Sequence, residues 1–116
     1  MKKVKTTRPP DDILKQIEER DKDCVYCHGP FIKGDNNASA TVEHFNHRKD
    51  WDSVGCYVAE GKDVSKIVAI CCHACNSSRS DKSLLEWFKT PYSKSKNINY
   101  DKVATVVRDY IDAYEK

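Results

Sequence analysis

Apolar residues recur at helical spacing in three parts of the chain. The first predicted helix runs over Asp11–Arg20, directly after two prolines, and it has an acidic first turn. Its apolar side carries Ile13, Leu14 and Ile17. The last predicted helix is the clearest and covers about residues 100–115, with Asn99 as its expected N-cap. The residues that recur at i, i+3, i+4 and i+7 in this helix are Val103, Val106, Val107, Tyr110, Ile111 and Tyr114.

A shorter helix is predicted in the segment that follows Cys75. Ser80 or Asp81 is its expected cap, and Pro91 is expected to end it. Its apolar face is formed by Leu84, Leu85, Trp87 and Phe88. Two β-branched runs, residues 40–45 and 66–70, predict short strands separated by a polar loop. The predicted order is helix, cysteine pair, strand, loop, strand, cysteine pair, helix and helix.

The composition limits the core that these elements can build. A chain of 116 residues suits one domain, and its charged residues (33%) nearly match its hydrophobic residues (39%). A core this small is expected to need a further constraint. The first ten residues hold no apolar signal sequence, and no stretch has membrane-spanning length, so we expect a cytoplasmic protein. In a reducing compartment, six cysteines are better explained by metal binding than by disulfides.

The net charge of +2 says little about nucleic acid, but two stretches of the chain are locally basic. One is the N-terminal tail, with Lys2, Lys3, Lys5 and Arg8. The other is residues 79–96, which contain five basic residues and only two acidic ones. Both stretches suit contacts to phosphates, and a frayed tail and an ordinary solvated face are the alternatives.

The cysteines form two CxxC pairs, which are the strongest chemical signal in the sequence. The pairs are Cys24 with Cys27 and Cys72 with Cys75. Each pair can fold as a knuckle that presents two thiolates to one ion, so the four together predict a tetrahedral structural zinc site. Two alternatives for the zinc ligands stay open: Cys71 could be a ligand in place of Cys72, or a nearby histidine in place of one of the cysteines. Otherwise Cys71 and Cys56 are interpreted as small buried hydrophobic residues, and His28 and His73 as exposed bystanders.

The two pairs are farther apart than those of simple zinc ribbons, which are separated by roughly 15 to 20 residues. Residues 28–71 lie between them here, and they contain Thr41-Val42-Glu43-His44. The second pair continues directly into Asn76, with Arg79 three residues later. The combination of CxYC, TxEH and CxxCNxxR resembles the zinc-ribbon branch of the HNH, or ββα-metal, endonucleases. The resemblance covers about residues 24–87. The order of the motifs is similar to that in phage and restriction enzymes of this family.

The resemblance implies an α+β fold. A small ββα-metal (HNH) core would occupy about residues 21–90, with a four-cysteine zinc clamp. The N-terminal and C-terminal helices would flank this core, and residues 1–10 would form a basic tail, all within a single HNH endonuclease domain over residues 1–116.

The resemblance also assigns roles by position. His44 would be the general base, and Glu43 and Asn76 would hold a catalytic cation. Phosphodiester hydrolysis needs a deprotonated water and a cation that neutralises the phosphate charge, and histidine can accept a proton near neutral pH. Two hard oxygen ligands suit Mg²⁺, with Mn²⁺ as a substitute. Arg79 lies on nearly the same helix face as Asn76 and is interpreted as either a phosphate ligand or a surface arginine.

The chain departs from the family pattern at several positions. The usual middle asparagine has no counterpart, because Ser65, Lys66 and Ile67 occupy that stretch. Asn46 is a candidate replacement that would brace the loop. His47 and Arg48 are candidates for DNA contact, with a polar loop as the alternative. Glu43 stands where aspartate is usual, which lengthens the side chain by one methylene.

The resemblance thus implies a metal-dependent endonuclease that cleaves DNA. Double-stranded DNA is the expected substrate. The main alternative is a non-catalytic zinc-ribbon module that binds nucleic acid or a protein partner, in which Glu43 and His44 would be a solvated pair and Asn76 a helix cap. An RNA nuclease would use the same chemistry. The sequence leaves open whether the C-terminal helix packs on its own domain or pairs two subunits in a homodimer.

Overall fold

The computed structural model describes residues 11–45 and 64–115, with residues 64 and 65 described for the backbone only. In chain order, its elements are α1 (Asp11–Arg20), β1 (Ala40–His44), α2 (Val64–Ile67), β2 (Val68–Cys72), α3 (His73–Arg79), α4 (Leu84–Phe88), α5 (Pro91–Ser95) and α6 (Thr105–Tyr114). The architecture is a small α+β arrangement around one two-stranded sheet in this part of the chain. No helix within the described residues has the length and apolar character needed to cross a membrane.

Helix α1 has the bounds that the sequence predicts, and it buries Leu14 and Ile17. The residues at its end fasten it to β2. Asp21 Oδ2 accepts a hydrogen bond of 3.0 Å from the backbone N–H of Ile70, and Arg20 Nη2 donates to the carbonyl of Val68 at 3.0 Å. Because these bonds satisfy outer-edge groups of the sheet, α1 covers that edge of β2.

Strands β1 and β2 pair antiparallel, with Ala40 opposite Cys72 and His44 opposite Val68. The second strand lies later in the chain than the predicted 66–70. Lys66 and Ile67 belong to the turn of α2, and the strand continues to Cys72. All five residues of β2 are buried, so their run is apolar without the alternation of a half-exposed strand. The sheet therefore delivers the second cysteine pair directly to the start of α3.

The two short helices after α3 begin at residues other than the expected ones. Ser83, rather than Ser80 or Asp81, caps α4, because its Oγ accepts a 3.2 Å hydrogen bond from Glu86 N. The helix ends at Phe88, and Pro91 begins α5 instead of ending α4. Proline is well tolerated at the first position of a helix, where its missing N–H would have no helical partner.

Helix α6 begins at Thr105, later than predicted, and Asn99 is not its cap. The side chain of Asn99 instead accepts a bond from Asp101 N at 3.1 Å, which forms a local turn. At the other end of α6, the Glu115 carboxylate accepts bonds from the backbone N–H groups of Leu84 and Leu85, each at 2.9 Å. The C-terminal helix therefore packs on its own chain and caps α4.

Aromatic side chains form the centre of the core. The rings of Tyr26 and Trp87 pack edge-on with their centroids 4.8 Å apart. The ring centroids of Phe45 and Tyr110 of α6 are 5.3 Å apart. These contacts connect the first cysteine knuckle, the end of β1 and the C-terminal helices. Packed rings thus hold these segments together.

Candidate metal centre and catalytic site

The two CxxC pairs meet at one point of the fold. The ligand sulfurs of Cys24, Cys27, Cys72 and Cys75 all lie within 4.8 Å of one another. The Sγ atoms of Cys27 and Cys72 are 3.9 Å apart. Tetrahedral zinc with Zn–S bonds of about 2.3 Å places its sulfurs roughly 3.8 Å apart, so this cluster fits a zinc-sized ion.

Hydrogen bonds reach two sulfurs of the cluster and affect their pKa values differently. The backbone N–H of Tyr26 lies 3.4 Å from Cys24 Sγ, and the hydroxyl of Tyr92 lies 3.4 Å from Cys75 Sγ. The hydrogen bond from Cys75 lowers the pKa of Cys24 to about 5, against the opposing effect of burial. Burial raises the pKa of Cys27 to about 11. The hydrogen bond between Cys24 and Cys75, together with burial, raises the pKa of Cys75, so these interactions favour the thiolate form of Cys24 and oppose it at Cys27 and Cys75.

Neighbouring metal-capable residues lie outside this group. Cys72, not Cys71, joins the cluster; Cys71 is buried, with its carbonyl accepting a 2.8 Å bond from the Thr41 hydroxyl. The ring of His28 bonds to the carbonyl of Lys102, and His73 Nε2 lies 3.3 Å from Ser77 Oγ. The clustered ligands are thus the two predicted pairs. Cys56 lies outside the described residues.

Helix α3 contacts the outer edge of β1 through two side chains. Asn76 Nδ2 donates to Thr41 Oγ1 at 3.0 Å and to the carbonyl of Val42 at 3.2 Å. Three residues later, Arg79 Nη1 donates to the carbonyl of His44 at 3.0 Å. Carbonyls two residues apart on a strand face the same edge. These side chains of α3 therefore occupy the position that a third strand would take beside β1.

Glu43 forms a buried ion pair with Arg79, which the sequence analysis did not anticipate. Arg79 Nη1 lies 3.0 Å from Glu43 Oε2, and the two residues are 1% and 2% exposed. The hydroxyl of Tyr26 donates to the same carboxylate oxygen at 2.5 Å. Burial is the largest single effect and lowers the pKa of Arg79, but electrostatic interactions with Glu43, Tyr26 and Glu115 and the hydrogen bond to Glu43 together raise it above its ordinary value. Burial and the Glu43 charge raise the pKa of Tyr26, which keeps it a neutral donor.

Arg79 therefore differs from both of its expected roles. Its remaining donors reach backbone carbonyls, with Nη2 2.5 Å from Phe45 O and Nε 2.8 Å from Lys82 O. A guanidinium that is enclosed and bonded on all sides is neither a surface arginine nor placed to hold a phosphate oxygen from solvent. It is an internal connector between β1 and the turn that follows α3.

The pair expected to hold a catalytic cation does not form a cation site in this arrangement. The Glu43 carboxylate is buried and already neutralised by Arg79, and a second cation beside that guanidinium would be repelled. The side-chain amide nitrogen of Asn76 donates its hydrogen bonds to Thr41 and Val42 of β1. Glu43 therefore does not fit the role of an oxygen ligand here, whereas the four cysteines do fit their ion.

His44 ends β1 and is 8% exposed. Its carbonyl is held by Arg79, and Phe45, the next residue, donates from its backbone N–H to Ile67 O at 2.9 Å. The candidate base thus sits on an ordered strand end. The loop candidates Asn46, His47 and Arg48 and the basic tail of residues 1–10 lie outside the described residues.

Tyr26 also belongs to this site, although the sequence motifs assign it no role. Its position between two predicted zinc ligands indicates that the ring packs into the core beside the metal site. Its hydroxyl partner, Glu43, lies in a distant segment, and no local pattern pairs the two.

Comparisons with known proteins add no relative to this description. No family model matches the chain, no curated protein shows significant similarity to it, and no solved structure matches it. The functional interpretation therefore depends on the residues and contacts above.

Proposed function

We propose that this chain is a metal-dependent endonuclease that hydrolyses phosphodiester bonds in DNA, with the four cysteines holding structural zinc and His44 acting as the general base. The motifs resemble those of the zinc-ribbon HNH enzymes. Double-stranded DNA is the proposed substrate.

One contact supports this function most directly. The Asn76 side chain on α3 bonds to Thr41 and Val42, so the helix residue that the motif singles out is attached to the strand that ends at His44. The four-cysteine cluster lies at the junction of β2 and α3, because Cys72 ends the strand and Cys75 lies in the helix. Zinc in this cluster would fix the helix against the sheet without taking part in the reaction.

The chemistry assigned to the protein's own residues is limited to His44. The imidazole of a histidine can accept a proton from the attacking water. A divalent cation, Mg²⁺ or Mn²⁺, would neutralise charge on the phosphate. Since Glu43 is paired with Arg79, the requirement for this cation is proposed from the chemistry of the reaction.

A non-catalytic zinc module that binds nucleic acid or a protein is the second candidate. The observation that favours it is the ion pair itself. A binding module needs no metal-ligating carboxylate, and the bonds of Glu43 to Arg79 and Tyr26 give this carboxylate a structural role instead.

A cleavage assay on supercoiled plasmid separates the two candidates. Zinc-loaded protein is incubated with plasmid in Mg²⁺, in Mn²⁺ and without a divalent cation, while binding to a labelled duplex is followed in parallel. The nuclease predicts nicked or linear product only with the added cation. Binding to the duplex without cleavage under any of these conditions would instead establish the binding module.

A further inference from the structure

Arg79 holds the end of β1 through a planar set of donors. Two of its nitrogens bond to the consecutive carbonyls of His44 and Phe45, at 3.0 and 2.5 Å, and a third bonds to Lys82 O at 2.8 Å. Because the guanidinium is rigid and planar, these bonds fix both the position and the direction of the strand end. Lysine has one donor centre and cannot reproduce this geometry.

Glu43 orients the guanidinium through the nitrogen that also reaches His44. Its Oε2 accepts from Arg79 Nη1, the nitrogen that also donates to the His44 carbonyl. A shift of the carboxylate would therefore shift the donor that holds His44. Both groups are almost completely buried, which shields these bonds from bulk solvent.

Tyr26 connects the carboxylate to the first cysteine knuckle. The residue lies between Cys24 and Cys27, its backbone N–H bonds to Cys24 Sγ, and its hydroxyl bonds to Glu43 Oε2. Its ring is clamped edge-on against Trp87 at 4.8 Å. A change in the knuckle thus reaches Glu43 through a rigid ring.

We propose that Tyr26, Glu43 and Arg79 form a positioning network that couples the geometry of the first cysteine knuckle to that of His44. None of the three is a catalytic residue in this scheme, since they act on His44 only through its backbone. In naming His44 as the base, the network rests on the proposed nuclease function. Its geometry can be tested independently of that function.

The test compares Tyr26→Phe with Tyr100→Phe in the zinc-loaded full chain. Each variant removes one hydroxyl that bonds to a carboxylate, and Tyr100 bonds to Asp112 at 2.9 Å in the C-terminal region. Zinc content, kcat and KM for duplex cleavage, and the His44 ring signal in NMR spectra are measured on the same samples. An Arg79→Lys variant tests the other end of the network while keeping the positive charge beside Glu43.

We expect Tyr26→Phe to retain zinc and a KM near that of the wild type, with kcat lowered about 10- to 100-fold because the base is displaced. Its His44 signal should move, whereas Tyr100→Phe should change neither kcat nor that signal. Arg79→Lys should also move the signal and should not restore kcat. An unmoved His44 signal in both Tyr26→Phe and Arg79→Lys would overturn the network. If the wild type does not cleave, the nuclease proposal fails, and the His44 signal alone still decides whether the network exists.

Discussion

Glu43 and Arg79, 36 residues apart in the chain, form a buried ion pair between β1 and α3, with Nη1 and Oε2 3.0 Å apart. The carboxylate that the motif associates with a cation is thus neutralised from within the protein. The Glu43 carboxylate is therefore not a metal ligand in this arrangement. It orients the Arg79 guanidinium, which bonds to the end of β1 at the His44 carbonyl.

Glu43→Gln is expected to destabilise the zinc-loaded protein by about 3 to 5 kcal/mol, because it leaves the buried charge of Arg79 without compensation. Urea unfolding of the single variants and of Glu43→Gln combined with Arg79→Met measures the coupling. The double variant should lose less stability than the sum of the single losses. Purely additive losses would show that Glu43 and Arg79 do not stabilise the fold as a pair.

Cys72→Ser and Cys71→Ser offer a matched comparison for the metal centre. Cys72 belongs to the four-sulfur cluster, and its neighbour Cys71 is buried outside it. Since structural zinc contributes on the order of 10 kcal/mol to folding, Cys72→Ser should lose zinc and helical circular dichroism. Cys71→Ser should keep one zinc per chain and lose only about 1 to 3 kcal/mol, for a buried hydroxyl.

Metal removal extends the same comparison. A strong chelator should unfold the wild type, and Mg²⁺ should not restore its structure. If Cys72→Ser or the chelated wild type stays folded, as judged by metal content and circular dichroism on the same samples, zinc is not the support of this fold.

Glu115 is expected to stabilise α4 from the opposite end of the sequence. Its carboxylate caps the N–H groups of Leu84 and Leu85, so Glu115→Ala should lower the free energy of unfolding by about 1 kcal/mol. Glu19→Ala, at an exposed position of α1, is the control and should change stability little. Equal thermal midpoints for the two variants would mean that the C-terminal helix does not cap α4.

Local patterns in the sequence predicted those parts of the fold that depend on local chemistry. The bounds of α1, the position of β1 and the choice of Cys72 over Cys71 follow from residue spacing and were confirmed. The shift of β2 was missed, because an apolar run looks the same in a buried strand and in a buried turn. The bond between Tyr26 and Glu43 and the pair of Glu43 with Arg79 depend on how distant segments pack, which no local spacing encodes.

Comparing His44→Ala with His73→Ala in a plasmid cleavage assay tests the proposed function most directly. His73 is an exposed histidine beside the second cysteine pair, so its replacement controls for loss of an imidazole near the metal centre. With zinc content and duplex binding equal in all three proteins, the Mg²⁺-dependent rate of His44→Ala should fall by roughly 10² to 10⁴, the usual contribution of a general base. His73→Ala should cleave at the wild-type rate. Undiminished cleavage by His44→Ala would contradict the account.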